Sequence, residues 1–172
     1  MTVQLSPIDG PWPGQLAVLP RPRGGDWLED EVAAWRSAGI GTVVSLLEKT
    51  EEEELDLAAE GGIVQQQGMQ FLSFPIPDYS VPTSRAGAAD FIGRLADILN
   101  RGSNVIIHCR GGLGRAPLMA ASLLATVGIS PDIAFQRISN VRRSTVPETD
   151  EQRRWVIDFA AQVAPVSPVP AQ

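Results

Sequence analysis

Apolar residues along the chain follow two spacings, one typical of helices and the other typical of buried strands. In residues 27–38 they recur at helical intervals, between Asp26 as a candidate N-cap and Gly39 as a candidate C-terminal cap. Residues 41–47 form a largely apolar run rich in valine and leucine, which is typical of a strand buried in a parallel sheet. We therefore expect a helix followed by a buried strand.

A run of acidic residues comes directly after this strand. Thr50 and Glu53 have the spacing of a capping box, and the carboxylates from Glu51 to Glu54 lie in the first turn that would follow. Negative charge is favourable there because it opposes the positive end of the helix dipole. We interpret the acidic run as the start of a helix and not as a metal site.

The same spacings predict further strands and helices that alternate along the chain. The strands cover residues 16–19, 71–76 and 105–107, and the helices begin near Thr83, Arg115, Ser130 and Thr149. This alternation predicts an α/β fold, a single domain with a central, mostly parallel sheet of about four to five strands and helices on both faces. We expect the domain to span residues 1–162 and residues 163–172 to form a flexible C-terminal tail.

The composition excludes several classes of protein. Of the 172 residues, 44% are hydrophobic and 20% are charged, which is typical of a globular domain. No apolar run approaches the roughly 18 residues of a membrane-spanning helix, and the N-terminus lacks the pattern of a signal peptide. Because Cys109 is the single cysteine, neither an internal disulfide nor a Cys-x-x-Cys metal site can form. We expect a cytoplasmic protein with no membrane partner.

The net charge of −6 is spread unevenly along the chain. Residues 1–100 carry −9, whereas residues 101–154 carry +4, with arginine as their only cation. An acidic chain with a local positive field favours a small anionic ligand over a nucleic acid. The alternative is a chance clustering of solvated arginines.

The segment from His108 to Arg115 joins a predicted strand to a predicted helix and is rich in glycine. Glycine lets successive backbone N–H groups point towards one centre, and the helix N-terminus adds partial positive charge. The planar guanidinium of Arg115 can bind two oxygens of a phosphate group. The segment therefore predicts a cradle for a tetrahedral dianion.

Cys109 lies at the base of this predicted cradle. The surrounding donors favour its thiolate, which is the nucleophile that phosphoryl transfer needs. Attack on phosphorus gives a cysteinyl-phosphate that water hydrolyses, while Arg115 and the backbone amides neutralise the phosphoryl oxygens. This chemistry needs no metal ion and no cofactor. The alternative is a structural cysteine before an ordinary strand-to-helix turn.

The string HCRGGLGR resembles the His-Cys-x5-Arg loop of the cysteine-dependent protein tyrosine and dual-specificity phosphatases. The order of LAVLPRPRG, AGIGTVVSLL, FPIPDYSVPT and GGLGR is similar to the kinase-associated phosphatase branch of that superfamily. The resemblance implies that Cys109 is the nucleophile, that Arg115 binds phosphate and that His108 supports the thiolate. It also implies that phosphate is bound by loop residues, namely Arg110, Gly111, Gly112, Leu113, Gly114 and Arg115.

A general acid is the next requirement of this chemistry, because the leaving oxygen needs a proton. Asp78, on a loop 31 residues before Cys109, resembles the general acid of the family. An aspartate after proline is also common in turns, and this is the structural alternative. Asp90 and Asp97 lie in a helical pattern and are weaker candidates.

Gln152 matches the position where family members often hold the hydrolytic water. Thr149 and Gln152 also have capping-box spacing, which explains both residue types equally well. Arg142 and Arg143 are candidates for binding a second anionic group of the substrate, or are solvated loop residues. Both alternatives stay open at the level of the sequence.

One residue departs from the family pattern. Ala116 follows Arg115 where relatives usually carry serine or threonine, and the missing hydroxyl predicts slower breakdown of the phosphoenzyme.

The leading hypothesis is a metal-independent phosphatase for phosphotyrosine in proteins, with phosphoserine and phosphothreonine as further candidate substrates. The alternatives are a phosphate-binding pseudophosphatase that serves as an interaction module and a rhodanese-like sulfurtransferase.

Overall fold

Four parallel strands form the centre of the fold in the computed structural model, which describes residues 5–163. The strand order is β1-β4-β2-β3, and all three neighbouring pairs are parallel. The strands are β1 (Leu16–Leu19), β2 (Ile40–Ser45), β3 (Gln70–Ser73) and β4 (Asn104–His108). The predicted α/β class is confirmed, with four strands in the described part of the chain. Of the predicted tail, residues 164–172 lie outside the described residues.

Seven α-helices surround the sheet within residues 5–163. They are α1 (Leu28–Ser37), α2 (Lys49–Glu54), α3 (Glu60–Gln66), α4 (Arg85–Asn100), α5 (Arg115–Thr126), α6 (Pro131–Arg142) and α7 (Asp150–Gln162). A short 3-10 turn, Gly25–Trp27, precedes α1. Among these helices, none is both long and apolar enough to cross a membrane.

Both faces of the sheet are covered by helices, because side chains alternate between the faces along each strand. On β4, Val105 and Ile107 belong to the larger hydrophobic cluster, which includes residues of α4, α5, α6 and α7. Ile106, between them, belongs to the second cluster, with residues of α1 and α3. The central strands are therefore buried on both sides, as expected for a parallel sheet.

Helix α5 runs through the middle of the larger layer. Every residue from Arg115 to Ala125 is buried, so packing on all sides fixes the position of this helix. Its N-terminus follows the glycine-rich loop after β4. The rigid core thus determines where the loop and the first residue of the helix lie.

Several helix and strand boundaries in the structure differ from the predicted ones. The predicted strands 41–47 and 71–76 end earlier, at Ser45 and Ser73. In the second case Pro75 follows two residues later, and proline lacks the N–H that a strand ladder needs. Helix α4 is capped by Ser84, whose hydroxyl accepts the Gly87 N–H at 3.0 Å, and not by Thr83. The candidate cap Asp26 lies inside the 3-10 turn, and Trp27 is the residue that precedes α1.

The capping box predicted for the acidic run is wrong by two residues. Helix α2 begins at Lys49, and its capping box pairs Glu48 with Glu51. The backbone N–H of Glu48 donates to Glu51 Oε2 at 2.9 Å. Thr50 therefore lies inside the helix. The caps predicted at Ser130 and Thr149 are confirmed, since each side chain accepts a backbone N–H of the first turn that follows.

Helix α3 is missing from the sequence-based prediction. It contains Gly61 and Gly62, and glycine disfavours helices by about 1 kcal/mol relative to alanine. The reason for Gly61 is tertiary, since a Cβ at this position would lie 2.8 Å from the ring of Phe71 on β3. Close packing of helix on strand therefore requires a residue that weakens the local helical pattern.

Candidate active site

The predicted site residues converge at the carboxyl edge of the sheet, where binding sites of open α/β folds lie. His108 ends β4, and the loop that follows leads into α5 at Arg115. The segments after β2 and β3 supply Glu51 and Asp78, both of which contact Arg115. The strand order, in which β4 and β2 are neighbours, explains why residues far apart in sequence meet here.

The loop after β4 wraps around the sulfur of Cys109. Cys109 is 3% exposed, and the Gly112 N–H donates to its Sγ at 3.3 Å. Gly112 has a φ of +71°, and a Cβ there would lie 2.7 Å from the backbone of Leu19 and Pro20. The loop therefore needs glycine at this position, both for its backbone conformation and for its close approach to the end of β1.

Arg115 is buried and held by a carboxylate. Its Nη1 and Nη2 donate to Glu51 Oε2 and Oε1 at 2.7 and 2.8 Å, a two-point contact, and Nη1 also donates to the Ile76 carbonyl at 2.9 Å. Burial alone would lower the pKa of Arg115, but the hydrogen bonds to Glu51 and the charges of neighbouring groups, Glu51 and Asp78 among them, together outweigh burial and raise the pKa. The guanidinium is thus a fixed cation at the start of α5.

Burial alone would raise the pKa of Glu51, but other contacts act in the opposite direction. The hydrogen bonds from Arg115 and from the backbone of Glu48 hold the pKa below its ordinary value near 4.5. The carboxylate is therefore ionised wherever the pair is intact. Sequence reasoning missed this role, because the acidic run from Glu51 to Glu54 was already explained as the first turn of a helix.

Asp78 contacts the same guanidinium, at the Nη2 nitrogen that also donates to Glu51 Oε1. Its Oδ1 lies 2.9 Å from Arg115 Nη2, and the backbone N–H of Tyr79 donates to Oδ1 at 3.0 Å. Its side chain is 34% exposed, so it can reach both the guanidinium and solvent. Asp78 and Arg115, predicted as acid and phosphate ligand, are thus in direct contact. Asp90 lies exposed on α4.

Glu148 and Gln152 lie against Gly114, the last residue before α5. A Cβ on Gly114 would be 2.5 Å from Glu148 Oε2 and 2.9 Å from Gln152 Nε2. Burial, and then the charge of Asp78, raise the pKa of Glu148 above its ordinary value near 4.5. Glu148 therefore adds a second carboxyl group beside the loop, and sequence reasoning did not find it.

Gln152 is fully buried and makes the capping box that the sequence allowed. Its Oε1 accepts the Thr149 N–H at 3.2 Å, and its N–H donates to Thr149 Oγ1 at 3.1 Å. The side-chain amide nitrogen Nε2 of Gln152 donates to the Ser80 carbonyl at 3.1 Å. Gln152 thus links α7 to the loop that carries Asp78.

Two neighbouring arginines outside the motif, Arg142 and Arg143, differ in their contacts with the loop. Arg142, at the end of α6, donates from Nε to the Gly112 carbonyl and from Nη2 to the Gly111 carbonyl, both at 3.1 Å. Arg143, its neighbour, is exposed. Arg142 therefore fixes the carbonyl side of the loop. In the loop itself, Arg110 is exposed and 3.9 Å from Glu54.

His108 is buried behind the loop. Its Nε2 lies 2.6 Å from Glu60 Oε1, and its Nδ1 lies 3.3 Å from the carbonyl oxygen of Cys109. His108 and Glu60 are 0% and 1% exposed. The histidine therefore has satisfied hydrogen bonds, as its structural alternative required, and one of them leads to the backbone of Cys109.

Chemically, the arrangement is suited to an anion. A buried thiol, an inward backbone amide, a fixed guanidinium and the N-terminus of a twelve-residue helix surround one loop. Within residues 5–163, no group of three or more histidine, cysteine, aspartate or glutamate side chains is arranged to hold a metal ion. Arg115 and the N-terminus of α5 provide positive charge at this loop.

Comparison with known proteins agrees with this geometry. Residues 18–129 match the family model described as "Polymorphic toxin system, DSP-PTPase phosphatase". Cyclin-dependent kinase inhibitor 3 of Rattus norvegicus is 29% identical over 139 residues, which cover 80% of this chain and 65% of the relative. The Mus musculus protein of the same name is 33% identical over 103 residues, covering 59% and 48%. The chain thus spans less than two thirds of these curated relatives.

Solved structures agree as well. A crystal structure of kinase-associated phosphatase, in which serine replaces the catalytic-site cysteine, has a TM-score of 0.77 and 25% identity, covering 87% of this chain and 86% of that one. Tk-PTP in its active form has a TM-score of 0.71 and 25% identity, covering 91% and 95%. The predicted resemblance is confirmed. This chain belongs to the DSP-PTPase phosphatase family, within the protein tyrosine and dual-specificity phosphatase superfamily and near kinase-associated phosphatase.

Proposed function

We propose that this chain hydrolyses phosphate monoesters on proteins, phosphotyrosine foremost and phosphoserine or phosphothreonine in addition, through a cysteinyl-phosphate intermediate. The observation that carries the proposal is the Cys109 sulfur, held by the Gly112 amide in a loop whose arginine is buried and fixed by a carboxylate. Such a loop supplies a nucleophile and preorganised charge for the phosphoryl oxygens without a metal ion.

In the first step, a phosphate group enters the loop and its oxygens take the place of Asp78 at Arg115 Nη2. The Cys109 thiolate attacks phosphorus, and the bond between phosphorus and the leaving oxygen breaks. Asp78, displaced from the guanidinium and protonated from solvent, donates that proton to the leaving oxygen. The loop amides and Arg115 stabilise the charge on the equatorial oxygens.

In the second step, water attacks the phosphorus of the cysteinyl-phosphate. Asp78, now a carboxylate, takes a proton from the water, and the bond between phosphorus and sulfur breaks. The products are inorganic phosphate and the Cys109 thiolate. Gln152 is a candidate to hold this water. Its side chain lies against Gly114 and donates a hydrogen bond to the Ser80 carbonyl in the loop that carries Asp78.

The first test is hydrolysis of para-nitrophenyl phosphate in EDTA between pH 5 and 8. We expect turnover by the native chain, complete loss in Cys109→Ser, a strong reduction in Asp78→Asn, and no effect of EDTA. Asp90→Asn is the matched control, since it removes an exposed aspartate of α4. Activity that survives in Cys109→Ser contradicts the proposal.

A phosphate-binding module without turnover is the second candidate function, and Ala116 is the observation that favours it. Ala116 is fully buried directly after Arg115, and its methyl side chain offers no hydroxyl to the departing sulfur. Tight binding of a phosphotyrosine peptide without hydrolysis in the same assay identifies this alternative. Binding of the phosphotyrosine peptide followed by its hydrolysis identifies the enzyme.

A further inference from the structure

The segment that follows β1 packs against the loop that follows β4. The Arg21 N–H donates to the Arg110 carbonyl at 3.1 Å. Two residues further along the loop, a Cβ on Gly112 would lie 2.7 Å from the carbonyl of Leu19 and from the nitrogen of Pro20. Because the two backbones meet at both points, this segment forms one rim of the loop. Arg21 and Arg110 are neighbours on the rim.

The backbone of Arg21 is restricted by a proline on each side. Pro20 and Pro22 each have a fixed φ, and a residue that precedes proline disfavours the helical region. The Arg21 side chain is half-buried, and its Nη1 donates to the Pro22 carbonyl at 3.0 Å. Since this carbonyl is neutral, the contact holds the guanidinium beside the rim without cancelling its charge. An anion that binds Arg21 therefore orders little that is not already ordered.

Arg110 carries a second positive charge on the same rim. Its side chain is 46% exposed, and its ion pair with Glu54, which is 65% exposed, spans 3.9 Å. An exposed pair at this distance is weak and is screened by salt, so a carboxylate of a ligand can replace Glu54. Burial would raise the pKa of Glu51, but hydrogen bonds and nearby positive charges, that of Arg110 among them, lower it overall. The charge of Arg110 therefore acts on the site itself.

The two ends of the loop differ in the charges beside them. At the end where α5 begins, two carboxyl groups lie next to the loop, those of Asp78 and Glu148. At the end that follows Cys109, the rim supplies Arg21 and Arg110. A carboxylate close to a bound phosphate group is thus repelled at the first end and attracted at the second.

We propose that Arg21 and Arg110 form a second anion subsite, which binds a carboxylate of the substrate next to its phosphorylated residue. The substrate class is then the acidic phosphopeptide segment. Arg142, a sequence-based candidate for such a role, is engaged with the carbonyls of Gly111 and Gly112 instead. The inference deepens the proposed function and rests on it, since a flanking carboxylate matters only when a phosphorylated protein segment binds in the loop.

Two phosphotyrosine peptides of equal length test the subsite, one with three glutamates on each side of the phosphotyrosine and one with three glutamines. The measured quantity is the ratio of their kcat/KM values in the same protein, which cancels any change in the chemical step. An exposed ion pair contributes a factor of about 1.4 to 5, so two arginines predict a ratio of roughly tenfold in the native chain at low salt. The ratio should fall several-fold in about 0.5 M NaCl, because salt screens exposed charges.

Arg21→Met and Arg110→Met remove the two charges one at a time. We expect each substitution to lower the ratio about threefold, through a higher KM for the glutamate peptide. Arg36→Met is the matched control, since Arg36 is exposed at the end of α1, at the sheet edge where β2 begins. It changes the net charge by the same amount and keeps the native ratio. Circular dichroism and melting temperatures establish that each variant is folded.

Binding of the same peptides, measured by fluorescence anisotropy, distinguishes the subsite from the proposed function. If the native chain hydrolyses both peptides with a ratio near one, or if Arg21→Met and Arg110→Met keep the native ratio, the subsite is refuted and the proposed function stands. An equal fall in Arg36→Met is an effect of net charge and also refutes the subsite. If the Kd ratio depends on the two rim arginines but neither peptide is hydrolysed, the subsite stands and the proposed function fails.

Discussion

At the scale of the residue, Arg115 depends on a carboxylate 64 positions away along the chain. The guanidinium has a planar set of donors, and Glu51 occupies two of them through a two-point contact. The Ile76 carbonyl binds the same group from the segment after β3. The orientation of the Arg115 guanidinium towards the loop is therefore fixed by Glu51 and by the Ile76 carbonyl, which lie on two other segments.

The substitution Glu51→Gln tests this dependence. Glutamine keeps one acceptor for a guanidinium nitrogen but presents an N–H₂ group to the other, so Arg115 shifts away from the phosphate position. A displacement of this kind costs about 100-fold in rate, and we expect kcat/KM for para-nitrophenyl phosphate to fall by that order. Glu53→Gln, exposed on the same helix, serves as the control. Unchanged kcat/KM in Glu51→Gln would show that Arg115 needs no carboxylate support.

Ala116 leads to a prediction about the second chemical step. A serine hydroxyl at this position would donate to the departing sulfur, a hydrogen bond of about 1 kcal/mol. We expect Ala116→Ser to raise the steady-state turnover several-fold and to leave the first turnover unchanged. Rapid-quench measurement of the burst and steady-state phases checks this, with Ala116→Gly as the control without a hydroxyl. Equal steady-state rates in all three proteins would argue against the idea.

At the scale of the element, the loop between β4 and α5 is held from both sides. Its amide at Gly112 faces Cys109 Sγ, and the carbonyls of Gly111 and Gly112 face Arg142 on α6. The sequence predicts the glycines and the arginine of the motif because their chemistry is local. It does not predict the contact with Arg142, because nothing in the spacing of residues 30 positions apart indicates it.

Gly111 and Gly112 form a matched pair for testing the loop. A Cβ at Gly112 meets the backbone at the end of β1 at 2.7 Å in a left-handed conformation, whereas a Cβ at Gly111 meets nothing within 4 Å. We expect Gly112→Ala to lower kcat/KM about 100-fold or more and Gly111→Ala to stay within about threefold of the native value, since a surface substitution without a clash is usually nearly neutral. Steady-state kinetics and melting temperatures check both, and similar losses in the two variants would refute the steric argument.

Arg142 and Arg143 form a second pair. Arg142→Met removes two charged hydrogen bonds to the loop carbonyls, each worth about 1.5 to 3 kcal/mol at most, and we expect kcat/KM to fall about tenfold or more. Arg143→Met changes the same charge at an exposed position and leaves the kinetics within about twofold at moderate salt. If Arg143→Met has the larger effect, the arginines act on the substrate as charges and Arg142 is not a loop support.

At the scale of the whole molecule, alternating apolar runs are sufficient to predict the α/β class, because a parallel sheet covered on both faces needs strands that are apolar throughout. The helix that escapes prediction, α3, contains glycine for a tertiary reason, its contact with Phe71. It also carries Glu60. Glu51 escapes as a site residue for a related reason, since a carboxylate in the first turn of a helix is already explained locally and its contact with Arg115 depends on strand order.

The Glu51–Arg115 pair joins α2 to α5 across the sheet edge, so it also links stability to pH. The pKa of Glu51 is lowered in the folded chain, because the hydrogen bonds from Arg115 and Glu48 outweigh burial. A lowered carboxyl pKa stabilises the fold above the ordinary value near 4.5, and this contribution is lost as pH falls through the folded value. The native chain should therefore exceed Glu51→Gln in stability mainly at neutral pH.

Urea unfolding followed by tryptophan fluorescence, between pH 3 and 7, measures this difference. Removing one partner of a buried ion pair costs about 3 kcal/mol, so we expect a gap of this order at pH 7 that narrows steadily below about pH 4.5. Glu52 and Glu148, whose pKa values are raised chiefly by burial, have the opposite pH dependence. Both proteins contain them, and because the charge of Glu51 is only a lesser cause of the raised pKa of Glu52, most of their contribution cancels in the difference. A gap that is constant with pH would mean that glutamine disturbs packing and that the charge of Glu51 contributes nothing to folding.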